Sequence, residues 1–312
     1  MKYALFLGCQ IPAHLNQYET AARAVSKRLG VDLVDIKQFS CCGYPVRNLD
    51  FKTFVLFSAR NLALAAKRKL NLMSLCKCCY GSLKKADHLL KEDASLRAEI
   101  NTILGKEGLK YEGEVEVKHL LSVLYHDVGI EPIKEKIEKT FGELKIATHY
   151  GCHALRPSKI VEFDDPVAPS LFDQLVEVTG AKSIYWPTQL ECCGAPLWGI
   201  NDELSMDLTA KKLTDAKQSG GDYLCAACTY CQIQFDTVQK MISAKRGTNH
   251  QLPSILYPQL LGLSMGIDGG TLGLQLNQLP LDGIEDFFVV PEPEEEEEPA
   301  EEEKAEAEKV EA

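Results

Sequence analysis

Two copies of one cysteine pattern constrain this chain of 312 residues more than any other feature. In each copy 31 or 39 residues separate a single cysteine from a Cys-Cys-Gly motif. A further 33 or 34 residues separate the second cysteine of Cys-Cys-Gly from a Cys-x-x-Cys motif. The first cysteine group is Cys9, Cys41, Cys42, Cys76 and Cys79, and the second cysteine group is Cys152, Cys192, Cys193, Cys228 and Cys231. Chance does not place ten cysteines in register, so each half builds one site from five thiols.

The similarity between the halves extends beyond the cysteines. Residues 2–9 parallel residues 145–152, and residues 39–45 parallel residues 190–196. A period of about 140 residues is too long for a solenoid and fits two tandem domains. The predicted units are residues 1–143 and 144–288, followed by a predicted acidic tail at residues 289–312.

The end of the chain carries nearly all of the net charge. Residues 291–312 contain twelve glutamates and two lysines, which supply −10 of the formal net charge of −11. A run of like charges with so few apolar residues predicts a disordered tail. The remainder is close to neutral, which predicts no nucleic-acid surface.

Strand-like and helix-like segments alternate within each unit. In the first unit, residues 4–7, 31–36 and 72–75 predict strands, and residues 54–70 and 80–91 predict helices. The matching segments of the second unit are residues 184–185, 203–219 and 223–224. Because each cysteine loop follows a strand, and such loops emerge at the carboxyl edge of a parallel sheet, we predict two pseudo-symmetric, Rossmann-like α/β units with the thiols gathered at that edge.

The sequence predicts a cytoplasmic protein without a membrane span. No apolar run approaches the roughly 18–20 residues that a spanning helix needs. The segment ending at Cys9 resembles a lipoprotein cleavage site, but the eight residues before it are too few for a signal peptide. In a reducing compartment, a cysteine-rich pattern indicates metal or redox chemistry rather than structural disulfides.

Two kinds of thiolate-bound metal site remain open. Zinc forms closed sites with four ligands, whereas each half offers five equivalent thiols. Iron–sulfur clusters accept thiolates from dispersed loops, although the bacterial ferredoxin spacing is absent here. The residues alone therefore favour an unusual iron–sulfur site, made twice, over zinc.

The doubled motif resembles the B subunit of the heterodisulfide reductases. The resemblance rests on the ten cysteines in register, together with residues 150–153 and 231–236, and covers roughly residues 1–285. The motif also occurs, more loosely, in cysteine-rich subunits of thiol:fumarate reductase, some succinate dehydrogenases and glycolate oxidase. The resemblance implies two noncubane [4Fe-4S] clusters, one bound by each cysteine group, that face a substrate disulfide from opposite sides. Cys78 and Cys225 are then not needed as ligands. Cys78 could replace Cys76 as a ligand, but we expect Cys78 to be a buried or merely nearby thiol without a ligand role.

The resemblance also implies an activity and partners. Such a protein reduces, or reversibly forms, a disulfide in two one-electron steps, and it needs no flavin of its own; no Gly-x-Gly-x-x-Gly motif is present. Electrons would come from a ferredoxin-like C subunit, fed by a flavin-containing A subunit. In methanogens the substrate is the mixed disulfide of coenzyme M and coenzyme B; members in sulfate reducers, acetogens and sulfur oxidisers act on other substrates or in the oxidative direction.

An anionic substrate requires cations beside the cleft. Arg156 is the candidate nearest a cysteine, and Lys84 and Lys85 are others, although each also suits a surface or capping role. His153 is a candidate for substrate binding and for proton transfer, and His149 is a candidate for proton transfer. Both histidines could instead only pack or hydrogen-bond beside a cluster.

Trp186 and Trp198 lie on either side of the second Cys-Cys-Gly and are expected to shield that site from water. Two other functions stay open: an electron-relay subunit of a flavin and iron–sulfur complex, and a zinc-stabilised interaction protein. The complete sets of five thiols favour the enzyme over the relay, because a relay needs no open iron site.

Overall fold

The structure, a computed structural model, describes residues 1–247 and 251–289. Apart from Val289, the predicted acidic tail lies outside these residues. The described chain forms two parallel α/β halves, which confirms the predicted fold class.

The first half is built on a four-stranded parallel sheet of order β2-β1-β3-β4. Its strands are β1 (Lys2–Phe6), β2 (Asp32–Asp35), β3 (Asn71–Ser74) and β4 (Val117–His119). Its helices are α1 (Gln10–His14), α2 (Asn16–Arg28), α3 (Phe51–Lys67), α4 (Lys77–Glu92), α5 (Ala94–Leu104), α6 (Leu120–Ser122) and α7 (Ile130–Lys134). Ala4, Leu5 and Phe6 are all buried, as expected of a parallel strand covered on both faces.

The second half repeats this arrangement with the sheet order β6-β5-β7-β8. Its strands are β5 (Lys145–His149), β6 (Lys182–Ile184), β7 (Tyr223–Ala226) and β8 (Ser254–Leu256). Its helices are α8 (Cys152–Leu155), α9 (Ser158–Val161), α10 (Leu171–Glu177), α11 (Asp202–Gln218), α12 (Thr229–Ile233), α13 (Gln239–Arg246) and α14 (Tyr257–Ser264). The repeated order means that the duplication extends to sheet topology. The predicted unit boundaries, 1–143 and 144–288, stay predictions.

Matching side chains begin the long helix of each half. The Asp50 carboxylate accepts a hydrogen bond from the Thr53 backbone N–H at the start of α3, at 3.0 Å. Asn201 does the same for Leu204 at the start of α11, at 3.1 Å. These caps satisfy backbone donors that a helix leaves unpaired, and so fix where each Cys-Cys-Gly loop ends.

The two halves pack directly against each other along α4 and α8. A Cβ on Gly81 of α4 would lie 2.7 Å from the His153 carbonyl oxygen of α8, so only glycine permits this approach. The Tyr80 hydroxyl, also on α4, donates a hydrogen bond to the Val161 carbonyl of the second half. Buried apolar residues of both halves form one continuous core. The loops at the carboxyl edges of the two sheets therefore meet.

Candidate metal centre

Each cysteine loop begins where a strand ends. Cys9 follows β1 and precedes α1, and Cys76 follows β3 and directly precedes α4. In the second half Cys152 begins α8 after β5, and Cys228 precedes α12 after β7. The Cys-Cys-Gly loops follow the edge strands β2 and β6. Three loops distant in sequence thus converge at one edge of each sheet.

The five thiols of the first cysteine group form a continuous set of contacts. The sulfur atoms of Cys9 and Cys41 are 3.8 Å apart. The Cys42 thiol interacts with those of Cys41 and Cys79, and Cys79 in turn with Cys76. All five predicted ligands of this half therefore lie together.

The second cysteine group repeats the same order of contacts. Cys152 interacts with Cys192, and Cys192 with Cys193. Cys193 then interacts with Cys231, and Cys231 with Cys228. The duplicated spacing in the sequence thus produces duplicated geometry.

The two groups meet at the interface between the halves. The sulfur atoms of Cys76 and Cys228 are 3.9 Å apart. Cys78 lies at the same point, because its sulfur and those of Cys76 and Cys228 are all within 4.8 Å of one another. Cys225, by contrast, is fully buried on β7, where burial raises the pKa of its thiol.

The glycine of each Cys-Cys-Gly has a structural role. Gly43 and Gly194 have φ values of 86° and 96°, and their backbone N–H groups lie 3.4 and 3.5 Å from the sulfur atoms of Cys41 and Cys192. Hydrogen bonds from neighbouring thiols, and then from these N–H groups, lower the pKa of both cysteines, opposed by burial. A Cβ at Gly43 would lie 2.8 Å from the Phe54 carbonyl oxygen, so a side chain does not fit this turn.

Matching polar residues on α3 and α11 hold the two Cys-Cys loops. The Ser58 hydroxyl donates to the Cys42 carbonyl at 2.7 Å, and the Thr209 hydroxyl donates to the Cys193 carbonyl at 3.0 Å. One turn further along, Asn61 donates to the Cys41 carbonyl at 3.1 Å. The residue at the place of Asn61 in α11 is a lysine, which marks a first difference between the halves.

A narrow cleft of about 20 Å³ lies at the junction and is lined by residues of both halves. The first half contributes Tyr44, Lys77 and Cys78. The second half contributes His149, Gly151, Cys152, His153, Cys192, Cys193, Ala195, Pro196, Cys228, Tyr230 and Cys231. The cleft therefore brings the second cysteine group against three residues of the first half.

His153 connects Cys78 and Cys152 within this cleft. Its Nδ1 atom lies 3.4 Å from the Cys78 sulfur and 3.5 Å from the Cys152 sulfur, and Arg47 Nη1 lies 3.0 Å from its Nε2 atom. A guanidinium can only donate, so Nε2 accepts and Nδ1 carries the proton of the neutral ring. Burial, followed by the Arg47 charge, lowers the pKa of His153. The His153 Nδ1–H therefore points towards the sulfur atoms.

His149 lies on the other side of the second cysteine group. One of its ring nitrogens and the sulfur atoms of Cys193 and Cys231 are all within 4.8 Å of one another. Neither ring nitrogen has a hydrogen-bond partner among the described residues. Burial, followed by Lys212 and Lys77, lowers the pKa of the ring well below its usual value. A buried, neutral N–H here suits a sulfur acceptor.

Two lysines are buried beside these thiols. Lys77 and Lys212 are each 1% exposed. Burial lowers the pKa of both to about 8, and nearby cysteines act in the opposite direction. Sequence reasoning missed both residues, although Lys77 lies inside the first Cys-x-x-Cys.

The predicted substrate residues are separated in the structure. His153 lines the cleft, whereas Arg156 is exposed and lies 3.4 Å from the Leu190 carbonyl oxygen. Lys84 pairs with Glu162 at 3.2 Å, and Lys85 is exposed. The half-buried Arg47 was not predicted, because only its contact with His153, 106 positions away, places it near the cleft.

The two predicted shielding residues also differ. Trp186 is fully buried, and its Nε1–H donates to the Thr148 carbonyl at 2.9 Å. Trp198 is half-buried and packs against Met206, Val238 and Ile242. Neither is among the residues lining the cleft.

The donor set fits a thiolate-ligated iron–sulfur centre. Each half joins five thiols in a series of contacts, lowers the pKa of the first cysteine of its Cys-Cys pair and directs a glycine N–H at that sulfur. Such N–H groups stabilise anionic sulfur, and dispersed thiolates are the usual ligands of these clusters.

Comparison with known proteins gives the family. Residues 3–84 and 146–236 match the cysteine-rich CCG domain. The chain is 36% identical over 281 residues to the B subunit of the ferredoxin:CoB-CoM heterodisulfide reductase of Methanosarcina mazei, covering 88% of this chain and 93% of the relative. It is 34% identical to a protein of Archaeoglobus profundus described as similar to the heterodisulfide reductase B subunit, covering 86% and 92%.

Two further similarities are broader. The chain is 31% identical to the 8-methylmenaquinol:fumarate reductase membrane anchor subunit of Wolinella succinogenes, covering 88% of this chain and 96% of that one. A solved structure of a hypothetical protein from Helicobacter pylori superposes with a TM-score of 0.70 at 19% identity, which shows the fold alone; the match covers 90% of this chain and 52% of that one.

Within the described residues, no helix combines the length and apolar character that crossing a membrane requires. The family match lies in both halves, and the identities to the heterodisulfide reductase relatives extend over most of the chain. This chain therefore belongs to the cysteine-rich CCG-domain family that includes the B subunit of heterodisulfide reductase.

Proposed function

We propose that this chain is the catalytic iron–sulfur subunit of a heterodisulfide reductase-type complex. It reduces, or reversibly forms, a disulfide substrate in two one-electron steps. The observation that carries the proposal is the junction of the two cysteine groups, where the sulfur atoms of Cys76 and Cys228 are 3.9 Å apart beside a shared cleft.

In this proposal each cysteine group holds one noncubane [4Fe-4S] cluster through its five thiolates. Bound there, such clusters would supply one-electron chemistry and iron atoms with affinity for sulfur. Cys79, rather than Cys78, belongs to the first set, because Cys79 interacts with Cys42 and Cys76 whereas Cys78 interacts with Cys76 and Cys228.

Reduction of a disulfide consumes two electrons and two protons and releases two thiols. His153 is placed to provide one proton, because its Nδ1–H faces the sulfur atoms of Cys78 and Cys152 while Arg47 holds Nε2. Arg47 in turn lies 4.4 Å from the centroid of the Tyr44 ring, which fixes its direction. The pair thus orients a proton donor in the cleft.

Aromatic rings restrict the entry of water to the same cleft. The Tyr44 and Tyr230 rings, one from each half, have centroids 5.5 Å apart. His153 lies edge-on to Tyr44 at 5.0 Å. Excluding water strengthens each hydrogen bond and charge interaction at the site.

The substrate class that we propose is an anionic disulfide, such as the CoB–CoM heterodisulfide named for the Methanosarcina mazei relative. Arg47 supplements the predicted Arg156 as a cation for its acidic groups. We further propose that the protein acts in the cytoplasm with a ferredoxin-like partner of the C-subunit type and, through it, a flavin-containing protein of the A-subunit type. The first would deliver electrons to this chain, which has no predicted flavin site.

Anaerobic preparation of the chain tests the proposal in two steps. Iron and acid-labile sulfide in equal amounts support clusters, whereas zinc at one or two atoms per chain without sulfide would end the proposal. The coenzyme M–coenzyme B heterodisulfide is then added to the dithionite-reduced protein, with the two free thiols as a control. A new paramagnetic signal and the release of two thiols per two electrons are expected with the disulfide. If the cluster-loaded protein gives no new signal and releases no thiol when the disulfide is added, a catalytic role is contradicted.

A second candidate function is a non-catalytic electron-relay subunit of a flavin and iron–sulfur complex of the sulfur-oxidising or fumarate/succinate type. The similarity to the Wolinella succinogenes fumarate reductase subunit favours it. A relay would exchange electrons with its neighbours yet show no signal specific to a disulfide. The same experiment therefore separates the two functions.

A further inference from the structure

Both buried lysines lie beside the second cysteine group. Lys77 and Lys212 are the only lysines or arginines buried in the described part of the chain. An ammonium group loses its hydration on burial and is retained only where negative groups or dipoles compensate. Their positions therefore indicate where negative charge is to be held.

Lys77 belongs to the first half but points into the second. Its Nζ donates to the His149 carbonyl oxygen at 3.3 Å and lies 4.6 Å from the centroid of the Phe172 ring. The ionisable groups that face it are Cys228, Cys231, Cys225 and Asp173, all in the second half, and Cys228 and Cys231 are proposed thiolate ligands there. Its positive charge therefore acts mainly on the second cysteine group.

Lys212 approaches the same group from α11. Its Nζ donates to the Thr188 carbonyl oxygen and lies 4.6 Å from the centroid of the Trp186 ring. The negative groups that face it are Cys193, Cys231, Glu191 and Cys192. Glu191 is exposed, so solvent screens it more than the buried thiols.

The position that corresponds to each lysine in the opposite half carries a neutral residue. Asn61 stands where α11 has Lys212, and donates to backbone carbonyls of the first Cys-Cys loop. Thr229 stands in the second Cys-x-x-Cys where the first has Lys77, and its buried hydroxyl has no partner among the described residues. The two groups thus match in thiols and differ by two buried positive charges.

Reduction of a thiolate-bound cluster adds negative charge in a site of low dielectric constant. A fixed positive charge nearby stabilises the reduced form more than the oxidised form, and surrounding charge is one of the factors that set cluster potentials. Because both halves offer five cysteine ligands, the ligands themselves do not produce a difference. The lysines do.

We propose that Lys77 and Lys212 raise the reduction potential of the centre held by the second cysteine group above that of the first. The first electron to enter the chain then rests in the second half, beside His149 and the cleft. This inference depends on the proposed function, since it assumes that both groups hold clusters.

The test is a potentiometric titration of the anaerobic, cluster-loaded full chain, followed by paramagnetic resonance. Lys77→Met and Lys212→Met are each expected to lower the equilibrium constant for reducing one centre at least about tenfold, a shift of about 59 mV for one electron. Lys77→Arg keeps the charge and should restore most of the potential. Lys84→Met, which removes a cation that is paired with Glu162, is the matched control and should leave both potentials unchanged.

Cys193→Ser and Cys42→Ser assign the transitions without relying on the lysine variants. The centre of higher potential should disappear in Cys193→Ser and remain in Cys42→Ser. Iron and sulfide analysis of each lysine variant distinguishes a shifted potential from a lost cluster.

Three outcomes would overturn the inference. These are a higher-potential centre that survives Cys193→Ser, two centres of equal potential, and loaded lysine-to-methionine variants with unchanged potentials. Each of these leaves the proposed function standing if the disulfide is still reduced. An anaerobically prepared chain that contains no iron and no sulfide would contradict both this inference and the proposed function.

Discussion

The two halves of this protein have the same fold and the same ligands but different surroundings. Cys9 is exposed whereas its counterpart Cys152 is half-buried, and buried Phe6 occupies the place of His149. Most of the cleft lining also comes from the second half. The comparison teaches that the duplicated scaffold supplies the thiols, while the residues around them give each site its own electrostatics.

Removing one buried thiol from each half is the strongest test of this comparison. Cys42→Ser is expected to abolish the first cluster and Cys193→Ser the second, since each thiol is an internal member of its set of contacts. Each variant should lose about half of the iron and sulfide, measured anaerobically, with a different part of the spectrum lost in each.

Loss of all iron in either variant would contradict this independence. It would show that the halves load their clusters as one unit through the contact between Cys76 and Cys228.

Cys78 and Cys79 sharpen the comparison within the first half. Cys79→Ser should lose the first cluster, because Cys79 interacts with Cys42 and Cys76. Cys78→Ser should keep both clusters, because its thiol faces Cys228 and His153 across the interface. Iron content and visible absorption show which variant loses a cluster. If Cys78→Ser loses the first cluster and Cys79→Ser keeps it, Cys78 is the ligand and Cys79 is not.

The smallest effect concerns the hydroxyl groups that hold the Cys-Cys loops. Ser58→Ala should lower the free energy of unfolding by about 1 kcal/mol, the usual contribution of one hydrogen bond. Thr209→Val should lower it by about 1–3 kcal/mol, because the Gln234 amide, 2.9 Å from the Thr209 hydroxyl, loses a buried acceptor as well.

Anaerobic urea unfolding of the two variants measures this difference. Equal losses would mean that the Gln234 contact stabilises nothing and that the two loops are held alike.

Local pattern and topology were enough to predict most of the scaffold. Short apolar runs marked the strands, and the caps at Asp50 and Asn201 mark helix starts that a sequence can reveal. Because loops after parallel strands share one edge, the convergence of five thiols in each half followed from the order of the elements alone. The spacing did not show how the halves pack.

The sequence by itself determined the duplicated α/β fold and the ten thiols, because both depend on residue type and order along the chain. Only the tertiary structure decided that Lys77 crosses into the second half, that Arg47 holds His153, and that Cys78 lies between the two groups. These contacts join residues far apart in sequence. A buried lysine also runs against the general preference of charged side chains for water, so only the surrounding packing could reveal it.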